Sequence, residues 1–234
     1  MIAKQLDLFS KVNKISHRNK YWDILDIWTN YLEDTDFDVL EDIMAKVNYE
    51  YSNTTCYPEY KNIFKVFSKS PHNIRVVILG QDPYYNGNAT GLAFACKLHC
   101  SPSLNKIKEQ LKSEYKNDRP IGNIDLLHLK EQGVFLLNTI LTVRENDPLS
   151  HSYINWQQFI TIVLQLINRV NKNVVYLLWG KEAQAYIKVI DSKYILTYMH
   201  PAAASYNKQK WECPHFKETN VILNNLGLKE IIWL

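Results

Sequence analysis

Val76-Val77-Ile78-Leu79-Gly80-Gln81-Asp82-Pro83-Tyr84-Tyr85 is the stretch from which the fold is read. Its first four residues are apolar without interruption, the pattern of a strand buried on both faces; a strand with one wet face would alternate. Gly80 breaks the run, and Pro83, which has no N–H, biases Asp82 toward an extended backbone. Three further runs repeat the first: Val134-Phe135-Leu136-Leu137, Val174-Val175-Tyr176-Leu177-Leu178 and Tyr194-Ile195-Leu196-Thr197-Tyr198. Helical spacing separates them. Leu104, Ile107, Lys108 and Leu111 mark one helix; Trp156, Phe159, Ile160, Val163, Leu164 and Ile167 a second; Ala183, Tyr186, Ile187 and Ile190 a third; a last one is expected over residues 216–226. Strands alternating with helices predict an α/β fold, a parallel sheet covered by helices on both faces.

Upstream, Trp22, Ile24, Leu25, Ile27, Trp28 and Leu32 recur with helical spacing, as do Val39, Leu40, Ile43, Met44 and Val47. Residues 1–20 are polar. The 234 residues thus divide into a polar N-terminal tail, residues 1–20, and one domain, residues 21–234, long enough to bury its own core. No apolar run approaches the roughly 20 residues that span a bilayer, and the first ten residues lack the apolar centre of a secretory signal. No membrane association is expected, and the product is expected to stay in the compartment where it is made. Cys56, Cys96, Cys100 and Cys213 form no C-x-x-C pair and read as reduced thiols in or near the core. Joining Cys96, His99, Cys100, Cys213 and His215 into a metal site matches no paired-ligand zinc spacing, so no metal is expected. A net charge of +3 permits a polyanionic partner without demanding one.

The strand ends carry the chemistry. The first run is followed by Gln81 and Asp82, the second by Asn138 and Thr139, the third by Trp179 and Gly180, the fourth by His200 and Pro201. Ligands of open α/β sheets bind in the crevice beyond the carboxyl ends of the strands, so Asp82, Asn138 and His200 are expected to converge there. A carboxylate can orient water or stabilise a nearby positive charge. An Asn amide both donates and accepts, and so reads an amide-like base edge in two directions. A histidine can donate to an oxygen that gains charge, and Phe94 or Tyr84 can pack on a flat ring. Singly, Asp-Pro reads as a turn, His-Pro as a loop and Asn as a strand-end cap. At successive strand ends they fit a planar, amide-bearing leaving group departing from a carbon that becomes cationic.

In order along the chain, Gly80-Gln81-Asp82-Pro83-Tyr84, Gly91-Leu92-Ala93-Phe94, Leu137-Asn138-Thr139-Ile140-Leu141-Thr142-Val143-Arg144, Leu177-Leu178-Trp179-Gly180 and His200-Pro201-Ala202-Ala203-Ala204-Ser205 resemble five motifs of the family 1 uracil-DNA glycosylases. The resemblance implies a central four-stranded parallel sheet flanked by helices on both faces, a three-layer sandwich. It implies an enzyme that flips uracil out of DNA, single- or double-stranded, and hydrolyses its N-glycosidic bond, with no cofactor. Asp82 and His200 would be catalytic: Asp82 stabilising the cationic sugar and placing the water, His200 bonding to uracil O2. Gln81, Tyr84, Phe94 and Asn138 would hold the base: Gln81 through its backbone, Tyr84 against C5 so that thymine is excluded, Phe94 by stacking, Asn138 on N3 and O4. Ser103 and Ser205 would grip phosphates. A proteinaceous inhibitor is a partner known for the family. The location implied is cytoplasmic, on the nucleoid in a bacterium or phage, and nuclear in a eukaryote.

The chain departs from the family in places. Tyr85 stands where the motif ends in His. Ala204 stands where the family has a leucine wedge that fills the gap left by the flipped base, and Tyr206, two residues on, is the expected substitute plug. Ala202 replaces one phosphate-gripping serine. Lys181 stands where another is expected; it reads equally as a point-charge phosphate contact and as an exposed lysine at a helix start. Lys208 and Lys210 add basic charge near the loop. In the tail, Gln5-Leu6-Asp7-Leu8-Phe9 resembles the short peptide by which bacterial replication and repair proteins bind the sliding clamp. The alternative to an enzyme is a non-catalytic DNA-binding or replication processivity protein on the same fold, for which the altered 202–204 loop is the argument.

Overall fold

The computed structural model describes residues 26–116 and 124–234. Four parallel strands, β2 (Val76–Gly80), β3 (Val134–Asn138), β5 (Val175–Trp179) and β6 (Ile195–Tyr198), form one sheet in the order β3-β2-β5-β6. Every residue of β2, β3 and β5 is buried, so both faces of the sheet are covered, as uninterrupted apolar runs require. β6 differs from the expectation. It is only partly buried, with Thr197 exposed, because it is the edge strand and pairs with β5 alone. A small antiparallel pair, β1 (Cys56–Tyr57) with β4 (Val143–Arg144), has too few residues to show a period and was not expected.

The helices follow the apolar spacing. α2 (Asp34–Asn53) buries Leu40, Ile43, Met44 and Val47, with Glu50 one turn further on. α3 (Pro102–Tyr115) begins at Ser101, whose hydroxyl accepts from the Leu104 N–H at 3.1 Å. α5 (Trp156–Val170) buries Trp156, Phe159, Ile160, Val163, Leu164 and Ile167. The helix expected around residues 183–190 is instead a turn of α-helix, α6 (Lys181–Gln184), continued as a 3-10 turn (Ala185–Lys188). α7 (Pro201–Tyr206) and α8 (His215–Asn225) complete the set that positions the site. Of the first helical pattern, Trp22, Ile24 and Leu25 lie outside the described residues; the described part is one turn, α1 (Asp26–Thr29). Trp28 anchors it: the indole stacks on Phe135 at 5.5 Å and its N–H reaches the carbonyls of Phe67 at 2.7 Å and Lys69 at 2.9 Å. A single core of buried apolar side chains runs from Trp28 to Trp233. The 1–20 tail and its Gln5–Phe9 peptide lie outside the described residues. Among the described residues no helix is long and apolar enough to cross a membrane.

Candidate active site

Strand register brings the site together. Gly80 sits opposite Asn138, Leu79 opposite Leu178, and Trp179 opposite Tyr198, so the chain leaves β2, β3, β5 and β6 at nearly the same level. Gln81-Asp82, Thr139, Gly180 and Met199-His200 therefore open onto one end of the sheet. A crevice of about 170 Å³ there is lined by Gly80, Gln81, Trp179, Gly180 and His200 among others. Two glycines make the close approach feasible. A Cβ on Gly80 would overlap Asn138 Oδ1 and lie 2.9 Å from the Ala93 Cβ. A Cβ on Gly180, whose φ is +88°, would lie 2.8 Å from the His200 Cβ. The sequence places both glycines at strand ends without giving either a role; the close approach that requires them shows only in the structure.

His200 caps α7. Its Nδ1 accepts the Ala202 N–H at 3.1 Å, so in the neutral ring the proton lies on Nε2, which is left as a donor. Burial pushes its pKa below the usual histidine value, which favours that neutral form. Phe94 lies 5.9 Å from the His200 ring, tilted by 33°, and 5.6 Å from Trp179. Its φ of +64° is rare for a residue with a Cβ and costs about 1–3 kcal/mol, a mark of functional sites. Neighbours hold it there: the Ala93 N–H donates to Leu136 O at 2.9 Å, and the Tyr84 hydroxyl to Phe94 O at 3.4 Å. Tyr84 is pinned again at 2.6 Å by the Ser101 hydroxyl, and burial raises its phenol pKa, so the ring is neutral.

Burial pushes the Asp82 carboxyl above the ordinary aspartate value; the Leu149 N–H, donating to Oδ2 at 2.9 Å, pulls it back. The loops after β2 and β3 are stitched together. Gln81 O accepts from the Ile140 N–H at 2.9 Å and the Thr139 hydroxyl at 3.0 Å, and Gly80 O accepts from the Thr139 N–H at 3.0 Å. The backbone of Gln81 is thereby held, consistent with a role through its main chain.

The DNA-facing set is less uniform. Ser103 lies in the first turn of α3 and is buried, Ser205 is half-buried, and Lys181 and Lys208 are exposed. Lys181 is the first residue of α6, which leaves both of its readings standing. Ala204 is the correction: its exposure is 0%, because α7 packs against α3 with this side chain inward. It has no surface to offer DNA. Tyr206, at the end of the same helix, is 91% exposed. The Cys96–His99–Cys100–Cys213–His215 set does not form a cluster. Among the described residues, the His, Cys and acidic atoms close enough to share an ion are those of Glu50, Cys56 and His151.

Residues 67–224 match the family model described as the uracil DNA glycosylase superfamily. The chain is 43% identical over 190 residues to a Fusobacterium nucleatum protein named uracil-DNA glycosylase, covering 79% of this chain and 84% of that one. A protein of the same name from Lachnoclostridium phytofermentans is 40% identical over 194 residues, covering 80% and 86%. The fold superposes on the crystal structure of mimivirus uracil-DNA glycosylase with a TM-score of 0.74 at 22% identity, covering 87% of each chain. A variant of that viral protein in complex with UGI gives 0.77 at 23%, covering 94% of this chain and 90% of the other. At these identities the structural likeness speaks for the fold alone.

Proposed function

The chain belongs to the uracil DNA glycosylase superfamily, and on that premise we propose how its residues divide the reaction. It hydrolyses the N-glycosidic bond of uracil in DNA, the first step of base excision repair. Extrusion of the base costs a few kcal/mol of stacking and pairing, which contacts in the pocket and along the backbone must offset. Phe94 stacks on the flipped ring. Asn138 donates to O4 and accepts from N3–H, a pattern cytosine cannot match. Tyr84, immobilised by Ser101, fills the space a 5-methyl group would need, so thymine is rejected by a clash. As the glycosidic bond breaks, negative charge grows on uracil O2, where the His200 Nε2–H donates. Positive charge grows on the sugar, where Asp82 faces it and orients the water that completes hydrolysis. The observation that carries this reading is the delivery of Asp82, Asn138 and His200 from separate strand ends to one level of the sheet, with His200 Nδ1 already engaged.

The test is strand scission at a single uracil. Purified protein is incubated with a uracil-containing oligonucleotide in EDTA, then alkali. Cleavage at the uracil is expected; intact strands alongside retained DNA binding would instead support the non-catalytic alternative. That alternative rested on the altered 202–204 loop, and the relatives' names favour the enzyme.

Ser103, Ser205, Lys181 and Lys208 make up the proposed backbone contacts, giving salt-dependent binding. Tyr206 is the proposed plug: its exposed ring can stack in the gap that buried Ala204 leaves unfilled. Tyr206→Ala is expected to slow excision from duplex DNA by about 10-fold, the worth of roughly one lost stacking contact, while leaving single-stranded DNA nearly unaffected. Equal loss on both substrates would remove the plug from the scheme. The Gln5-Leu6-Asp7-Leu8-Phe9 peptide is proposed to tether the enzyme to a sliding clamp. Deleting residues 1–10 is expected to abolish clamp pull-down and spare uracil excision; pull-down that survives the deletion sinks the idea. A proteinaceous inhibitor is a further proposed partner, supported by the viral neighbour solved with UGI. The proposed location is the cytoplasm, on the nucleoid in a bacterium or phage, or the nucleus in a eukaryote.

A further inference from the structure

Glu50 is a buried carboxylate on α2, outside the site already described. Arg144 grips it with a fork, Nε to Oε2 at 2.6 Å and a terminal nitrogen to Oε1 at 2.7 Å. The Tyr153 hydroxyl donates to Oε1, and His151 Nε2 lies 3.4 Å from Oε2. Arg144 first, then Tyr153 and His151, hold the Glu50 pKa at about 2 despite its burial, so the group is ionised. His151 is itself fixed on its other nitrogen by the Thr142 hydroxyl at 2.8 Å.

What these partners share is their place in sequence. Arg144 enters one loop; His151 and Tyr153 leave it. Between them the Arg144 N–H donates to the Ser150 hydroxyl at 2.8 Å, and Leu149 takes a φ of +61°. That loop touches the reacting motif twice, through the Leu149 N–H on Asp82 Oδ2 and the Asn146 N–H on Tyr85 O, both at 2.9 Å. One carboxylate thus ties both ends of a loop whose left-handed turn aims a backbone N–H at Asp82. We propose that Glu50, through Arg144 and His151, is a positioning residue: it closes the 144–151 loop so that Leu149 holds the Asp82 carboxylate in its reacting orientation and ionised. The inference rests on the glycosylase reading above. A left-handed Leu costs backbone energy, and an ion pair this well formed is a source of it.

The titratable groups of the packed elements are Tyr84 and Tyr85 beside Asp82 in sequence, Asp147 two residues before Leu149, and His200, Lys181 and Glu182 lining the crevice that Gln81 borders. A substitution at Glu50 removes none of these groups; it frees Arg144 toward Asp147, its other carboxylate partner at 3.8 Å. A hydrogen bond to the charged form lowers a carboxyl pKa, so losing the Leu149 N–H raises it. Activity that needs ionised Asp82 is then lost at a higher pH.

The experiment measures kcat, KM and the pH dependence of kcat for Glu50→Gln and Arg144→Lys on a single-uracil oligonucleotide, well below each variant's melting temperature. Wild-type excision in the same assay tests the glycosylase reading separately. Expected is a kcat lower by about 100-fold with KM nearly unchanged, the cost of a small misplacement imposed from outside the site. The acid limb is expected to move up by about one pH unit, the worth of one hydrogen bond to a charge. In an Asp82→Asn background Glu50→Gln is expected to cost nothing further, since both act through one group. An unmoved acid limb, or the same 100-fold loss on top of Asp82→Asn, would overturn the proposal and leave Glu50 a stabilising residue only. Arg144→Lys carries the same readouts should Glu50→Gln fail to fold, because a lysine point charge cannot supply the fork.

Discussion

Asp82→Asn is expected to slow uracil excision by about 10³-fold or more while leaving uracil-DNA binding intact, since removing one preorganised charge-stabilising group costs about 10²–10³ in kcat and in the proposed reaction this residue also places the water. The substitution is chosen because it changes little else. Asn has the same shape, and its Oδ1 can still accept the Leu149 N–H that holds Asp82 at 2.9 Å. What it removes is the negative charge. In the ground state the sugar is neutral and the charge contributes little to binding. In the proposed transition state the sugar is cationic and faces this charge, which is partly buried and weakly screened. The loss therefore falls on kcat and not on affinity. Single-turnover strand scission beside fluorescence anisotropy with a uracil oligonucleotide separates the two. A variant that excises within a few-fold of wild type would mean that Asp82 is not the electrostatic partner and that its burial has another reason.

Gly80→Ala is expected to lower kcat/KM by about 10²-fold, through misplacement of a group that the substitution never touches chemically. The added methyl would overlap the Asn138 side-chain oxygen, and on its other side lies the Ala93 Cβ at 2.9 Å, which is fixed by backbone. The methyl has nowhere to go, so the Asn138 amide must turn, and with it the donor–acceptor pair proposed to read O4 and N3. Because β2 and β3 are paired in register at this level, the strand cannot slip to relieve the overlap. The expected signature is a loss close to that of Asn138→Ala, with the double variant no worse than either, since both act through one group. Near-wild-type activity would show that Asn138 reads nothing at that position. Gly180→Ala is a harsher change, since its positive φ strains any L side chain whatever the space.

The strands and most helices are legible in the sequence because burial on both faces leaves uninterrupted apolar runs and one-sided burial leaves a helical period. Where the structure departs, the cause is a partner that the local sequence does not name. β6 has the composition of a central strand but lies at the edge, a matter of strand order. The helix expected around residues 183–190 tightens into a 3-10 turn although its apolar spacing is regular. The convergence of Asp82, Asn138 and His200 was readable because each lies at or just past a strand's carboxyl end, and strand ends in parallel sheets gather at one end. Ala204 was placed at the DNA by its position in a motif; the packing of α7 on α3 turns it inward and leaves Tyr206 outside.

The sequence by itself therefore determined the fold class, the end of the sheet where the candidate site residues gather, and the family whose motifs recur in order, since all three depend on residue type and spacing along the chain. Only the tertiary structure decided which nitrogen of His200 remains free, why Gly80 and Gly180 must lack side chains, and which distant loop restrains Asp82. Those are contacts between segments far apart in sequence, such as the Leu149 N–H on Asp82 and the Arg144 fork on Glu50. Their direction and distance exist only once the sheet has brought the segments together.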